Sequence, residues 1–179
     1  MGYIDSGITT NQDVKYSNRW ILSFDNVNAA IGQGVDNLTL VLKTASRPKV
    51  DFNAIDIHRK NERYYLAGKA EYGTIDISFY DYVKATHDPG RMMYEWLKAI
   101  YDPGTADMGY KSQYAFDCNL RMEGPAGQEL ENWVLEGCWP MNIDYGSLDY
   151  SNADAMMVTV TLRIDRAKRT QGSESDDGT

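Results

Sequence analysis

The stretch Met157-Val-Thr-Val-Thr-Leu-Arg-Ile-Asp165 decides the fold class of this chain. Val158, Val160, Leu162 and Ile164 fall on one side of an extended backbone, and Thr159, Thr161, Arg163 and Asp165 on the other. Successive side chains of a strand point to opposite faces, so this alternation predicts a β-strand with one buried face. Just upstream, the run from Glu136 to Ile143 predicts a strand broken at Trp139-Pro140, since proline has no N–H to donate to a ladder. Between the two lies polar turn sequence. The segment holds no catalytic constellation and points to a structural role.

Working outward, Arg19 to Val27 predicts a first strand, followed by a break at Gly32-Gln-Gly34. Asn37 to Lys43 alternates through Leu38, Leu40 and Leu42. Thr44 to Asn53, with Pro48 inside it, has loop composition. Ala54 to Arg59 resumes strand character, and Asn61 to Gly68 fits either an edge strand or an irregular hairpin. Thr74 to Tyr80, Tyr114 to Glu123 and Leu130 to Cys138 are further strands, the last two joined by the turn Gly124-Pro-Ala-Gly127.

One helix interrupts them. Asp88 suits the N-cap and Pro89 the first helical position, where a missing N–H costs nothing. Met92, Met93, Trp96, Leu97 and Ile100 form one apolar stripe, and Asp102-Pro-Gly104 ends the helix. Trp96 is its expected core anchor, and Trp139 is a second. Strands clustered before and after a single helix predict a mainly β fold, an antiparallel β-sandwich or barrel with one flanking α-helix. Residues 1–18 are expected to be an N-terminal arm, 19–168 the β-domain, and 169–179 a disordered acidic tail.

The 18 basic and 26 acidic residues give a net charge of −8, a poor balance for holding a nucleic-acid backbone. The 13 tyrosines and 4 tryptophans suit half-buried sheet surfaces and protein interfaces. No apolar run approaches the roughly 20 residues of a membrane span, and no signal-peptide pattern opens the chain, so use without signal-peptide export is expected. Cys118 and Cys138 with His58 and His87 are too scattered for a zinc site. Asp144, Asp149 and Asp154 lack the spacing of an EF-hand loop. There is no nucleophile elbow, phosphate loop or His-Glu-x-x-His pair. No catalytic residue, metal or cofactor is expected.

Two stretches look suited to contact instead. On Phe116 to Glu123, Asp117, Asn119, Arg121 and Glu123 share one face, which fits an ordinary solvated surface or a polar lumen. The loop residues Arg47, Pro48, Lys49, Val50 and Phe52 mix charge with apolar groups, as an interface loop or a long surface loop would.

Three features in order resemble the tail tube protein of contractile-tailed bacteriophages: Tyr94-Glu-Trp96, Gly137-Cys-Trp-Pro-Met-Asn-Ile143, and Leu148-Asp-Tyr-Ser151 leading to Leu162-Arg-Ile-Asp-Arg166. Their spacing fits the family from about residue 19 to 168. The resemblance implies a non-enzymatic virion protein with a fold shared by the tube protein of type VI secretion systems. It implies hexameric rings stacked into a hollow tube, assembled in the host bacterial cytoplasm. Expected partners are other copies of the chain, the sheath, baseplate, tail terminator and tape measure proteins, and genomic DNA in the lumen without sequence-specific binding. By this analogy the Thr44–Asn53 loop occupies the place of the family's inter-ring stacking loop. Asp117, Asn119, Arg121 and Glu123 are the candidates for a lumen face, and the resemblance leaves open which strands line the lumen. A type VI-like tube subunit and a β-barrel that binds a ligand or peptide are the alternatives.

Overall fold

The computed structural model describes residues 15–25, 42–83, 88–125, 127–151 and 153–171. Among them are nine strands: β1 (Trp20–Asp25), β2 (Leu42–Ala45), β3 (Val50–Arg59), β4 (Glu62–Tyr72), β5 (Ile75–Tyr80), β6 (Phe116–Glu123), β7 (Glu129–Asp144), β8 (Met157–Arg163) and β9 (Arg166–Gln171). Two helical segments separate β5 from β6: α1 (Pro89–Ile100) and α2 (Lys111–Tyr114). The mainly β, antiparallel fold expected from the sequence is the one observed. The expected strand over 37–41, His87 and the tail from residue 172 lie outside the described residues.

The 16-residue strand β7 organises the molecule. Its first half pairs with β6 on one edge and β9 on the other; its second half pairs with β8. One half-sheet therefore runs β1-β6-β7-β9 and the other β7-β8-β5-β2, both antiparallel. The corner between them is Gly137, at φ +66. A Cβ there would lie 2.3 Å from Asp165 Oδ2, so any larger residue would have to push the Asp165 side chain aside as well as adopt a left-handed backbone. Opposite it, β8 ends and β9 begins across Ile164-Asp165, and the Asp165 N–H donates to the Glu136 carbonyl at 3.0 Å. Gly137 N–H donates to Asp117 Oδ1 at 3.0 Å, which fixes the corner on β6 as well.

A single core fills the fold. Ile75, Ile77 and Phe79 of β5 meet Val158, Val160 and Leu162 of β8, each 0–1% exposed. Leu22, Phe24, Phe116, Cys118, Leu120, Leu135 and Cys138 supply the inner face of the other half. Helix α1 closes it with Met92, Met93 and Trp96. Asp88 caps the helix by accepting from Arg91 N–H at 2.9 Å. Trp96 stacks on Phe116 at 5.0 Å, meets Phe24 edge-on at 6.1 Å, and donates its indole N–H to the Tyr114 carbonyl at 2.6 Å.

Several expectations need correction. The strand is not broken at Trp139-Pro140: β7 runs through, and a register shift between Pro140 and Asn142 absorbs the missing N–H. Trp139 is not a core anchor. It sits opposite Arg163 and is half-buried, edge-on to Tyr114 at 6.1 Å, while Cys138 and Pro140 take the buried positions. Tyr114 closes the helical turn α2, and β6 begins at Phe116, so two helical segments are present where one was expected. Val50 to Asn53 are not loop but the start of β3, and only Ser46 to Lys49 bridge β2 and β3. Asn61 lies in the turn before β4, which extends to Tyr72. Arg169 to Gln171, placed in the tail by composition, pair with β7 as the end of β9.

Candidate assembly surface

Strands β3 and β4 pair with each other and with no other strand among the described residues. The register runs from Val50↔Tyr72 to Arg59↔Glu62, with a shift between Phe52 and Ala54. Gly68 sits at that shift, where a Cβ would lie 2.6 Å from the Asn53 carbonyl oxygen. Register partners share a face, so Ile55, Ile57, Tyr64 and Leu66 line one side of the outer half of the hairpin. The opposite side carries Asp56, His58 and Arg63 together with Tyr65, with Asp56 3.3 Å from His58 and 3.8 Å from Arg63. Nearer the body, Val50 and Phe52 continue the polar side as an apolar foot. The apolar surface thus changes face along the hairpin.

Every β3 residue is exposed. Phe52 is 59%, Ile55 51%, Tyr65 64% and Leu66 54% accessible. A two-stranded hairpin without a core is marginal in water, and contiguous exposed apolar groups mark contact surfaces. Arg47, Pro48 and Lys49 lie at the foot of this hairpin, and Lys49 is 3.5 Å from Asp51.

Beside the foot is a group that sequence reasoning missed. Glu131 is 2% exposed and receives Lys15 at 2.6 Å, Arg47 at 2.5 Å, Arg169 at 3.5 Å and the Trp133 indole N–H. Burial pushes its carboxyl up, but the hydrogen bonds from Lys15, Trp133 and Arg47 and the Arg47 charge outweigh it. Together they bring its pKa from 4.5 down to about 2. The available signal was its phase: Glu131 and Leu135 share the inward side of β7.

The two half-sheets present different outer faces. Asp117, Asn119 and Arg121 project from the centre of the first, all half-buried, beside Glu123 at the end of β6; Arg121 is 4.0 Å from Glu129. On the second, Asp76 and Ser78 lie beside Thr159, Thr161 and Arg163, with Asn142 and Asp144 on the far flank. Thr161 donates to Asp76 at 2.8 Å, and the Ser78 and Thr159 hydroxyls are 3.5 Å apart. Each half-sheet ends in strands that have one partner among the described residues: β1 and β9 in the first, β2 and the second half of β7 in the second. Such edges invite another chain.

The described residues contain no cluster of three or more His, Cys, Asp or Glu able to hold a metal ion, and no helix long and apolar enough to cross a membrane. The family model for phage tail tube proteins matches residues 12–168. The chain belongs to the phage tail tube protein family. No curated protein sequence matches it. Among solved structures, this tail tube protein is similar to the tube-terminating cap of the anti-feeding prophage, with TM-score 0.69 and 18% identity over 94% of this chain and 99% of that one. It is also similar to a chain of the PVC sheath-tube complex, an extracellular contractile injection system in the extended state, with TM-score 0.67 and 14% identity over 95% and 99%. The SPP1 tail tube aligns with TM-score 0.57 and 11% identity over 88% and 80%. These likenesses establish a shared fold, and family membership places the chain among tail structural proteins.

Proposed function

We propose that this tail tube protein is a non-enzymatic subunit whose hexameric rings stack into the inner tube of a contractile tail, the conduit for genome delivery into the host bacterium. The observation that carries this is the β3–β4 hairpin, which exposes seven large apolar side chains and pairs with no other strand among the described residues. Contact with a second subunit gives those groups the burial that the domain's own core does not. Arg47, Pro48, Lys49, Val50 and Phe52 form its foot in the inter-ring contact, and Ile55, Ile57, Tyr64 and Leu66 extend it outward. Within a ring, β2 and the second half of β7 continue the sheet into the neighbours on either side.

The lumen is one of two outer faces. Asp117, Asn119, Arg121 and Glu123 on β6 are the candidate face read from the sequence. We favour the second half-sheet, because Asp76 and Asp144 offset Lys43 and Arg163, and hydroxyls occupy the ground between them. A surface with few uncommitted cations lets DNA pass without retention. The tape measure protein and then DNA occupy this lumen, while the sheath surrounds the tube and the baseplate and terminator close its ends.

Negative-stain microscopy of the concentrated protein tests the reading. Stacked rings or tubes are expected, and a persistent monomer overturns it. Replacing both Val50 and Phe52 by Asp should abolish tube growth with an unchanged circular dichroism spectrum. Long tubes from that variant would remove the hairpin foot from the contact. In assembled tubes, Thr161→Cys should react with a small maleimide and resist one carrying a large polymer. If Asn119→Cys shows that pattern instead, the β6 face is the lumen.

A further inference from the structure

We propose that Glu131 is a positioning residue that fastens the N-terminal arm and the hairpin foot to the sheet, presetting the direction in which the hairpin meets its neighbour. The inference rests on the tube reading for its consequence, but its geometry stands independently. Three cations from segments far apart in sequence converge on one carboxylate: Lys15 of the arm, Arg47 three residues before β3, and Arg169 of β9. Glu131 is 2% exposed, while the three cations are 42%, 58% and 49% exposed. The acceptor is therefore fixed and the donors reach in to it. The Trp133 indole holds the carboxylate from its own strand, so the acceptor's orientation does not depend on any of the three.

The rest of the hairpin's attachment is thin on the upstream side. Gly73 N–H donates to the Lys49 carbonyl at 2.9 Å, and Glu71 meets Arg163 at 3.5 Å, both serving the β4 end. On the β3 side, Ser46 bonds with Asp76 through its N–H at 2.9 Å and its hydroxyl at 2.8 Å. Arg47 is the charged tie that follows immediately. A cleft of about 250 Å3 lies between Lys15 and Arg47, walled by Trp20, Ala45, Leu120 and Met122, so the arm and the foot share a seat. Removing the charge of Glu131 does more than delete one ion pair. It leaves three like charges facing one another, and attraction between the segments becomes repulsion.

Hydrogen exchange on the unassembled subunit reads this directly, with tube elongation as the second measurement. Glu131→Gln should speed exchange at least tenfold in residues 15–19 and 46–50 through local openings that depend little on denaturant, change β5 and β8 only through the lowered global stability, and shorten tubes. Glu131→Asp, which keeps the charge, should restore most of the protection. Arg47→Gln alters an exposed side chain and leaves Glu131 two cations, so it should fold even where Glu131→Gln does not; it should loosen 46–50 alone. Unchanged exchange at both segments in Glu131→Gln, or unchanged exchange at 46–50 in Arg47→Gln, overturns the proposal. A rise that comes only through global unfolding, with the same denaturant dependence at those two segments as in β5 and β8, overturns it too, since that leaves no local role for the tie. Loosened segments with normal tube elongation overturn the link to assembly. If the wild type itself does not polymerise, the tube reading fails while exchange still decides the role of Glu131.

Discussion

The charge on Glu131 should make the stability of the subunit acid-sensitive in a defined window. Its folded pKa is about 2 against an ordinary 4.5, so folding lowers its proton affinity by about two and a half units. At roughly 1.36 kcal/mol per unit, this is about 3 kcal/mol of stability at neutral pH. A depressed folded pKa gives stability that is fully present above the unfolded value and lost as pH falls through the folded one. The loss should therefore begin near pH 4.5 and be complete near pH 2. Other carboxylates titrate in the same range, so the wild type alone does not isolate the effect. The comparison that does is urea unfolding of wild type and Glu131→Gln at several pH values, followed by tryptophan fluorescence under dilute, unassembled conditions. The difference between the two should be constant above pH 5 and shrink by about 3 kcal/mol towards pH 2. Because the carboxylate is buried, moderate salt should change that difference little. A difference that stays flat across the acid range would refute the ion-pair account of Glu131.

Trp96→Ala should cost about 3–5 kcal/mol of subunit stability in denaturant unfolding, because it empties the space between Phe24 and Phe116. Trp96→Phe should cost about 1–3 kcal/mol, keeping an aromatic ring there but stranding the Tyr114 carbonyl. Gly137→Ala should lower the melting temperature through both its positive φ and its collision with Asp165, and Asp165→Ala in the same chain should return part of the loss. Gly68→Ala should stop tube growth in microscopy while shifting the unfolding of the main domain by less than about 0.5 kcal/mol, since the clash is with Asn53 inside the hairpin.

The parts of the fold legible in the sequence were those where one face meets the core. Val158 to Ile164 and Ile75 to Phe79 alternate because burial alternates, and α1 shows its stripe for the same reason. The hairpin defeats that logic. Its apolar residues change face at the Phe52–Ala54 shift, and they turn away from the domain's core, so Val50 to Asn53 carried the composition of a loop. Trp139 misled in the opposite sense: a large aromatic beside a proline suggests an anchor, but the corner at Gly137 turns it to the outward side, opposite Arg163. Glu131 was hidden because its partners lie 116, 84 and 38 positions away, and no local pattern announces such a convergence. Of the residues proposed for assembly, Arg47, Val50 and Phe52 stand out in the sequence by mixed character, while Ile55 and Ile57 read there only as strand, and Tyr64 and Leu66 only as edge strand or irregular hairpin.

The division between what is closed and what is left open explains how such a chain works as a building block. Among the described residues one continuous core cluster closes within the subunit, so the domain should fold without a neighbour. The hairpin and the sheet edges are incomplete. Each half-exposed large apolar side chain has about 1 kcal/mol left to gain on burial, so the seven of one hairpin gain about 7 kcal/mol, which the cost of association largely cancels. In the stacked rings we propose, each ring presents several such contacts to the next at once, and their sum rises with every simultaneous engagement. Pairwise association should then be negligible and ring-on-ring association strong, which makes growth cooperative. This requires every hairpin to point the same way before docking, since a freely swinging one forfeits its gain to ordering. Three cations held on a buried carboxylate are a fitting device for that, because the tie is short, charge-based and unaffected by pH in the neutral range.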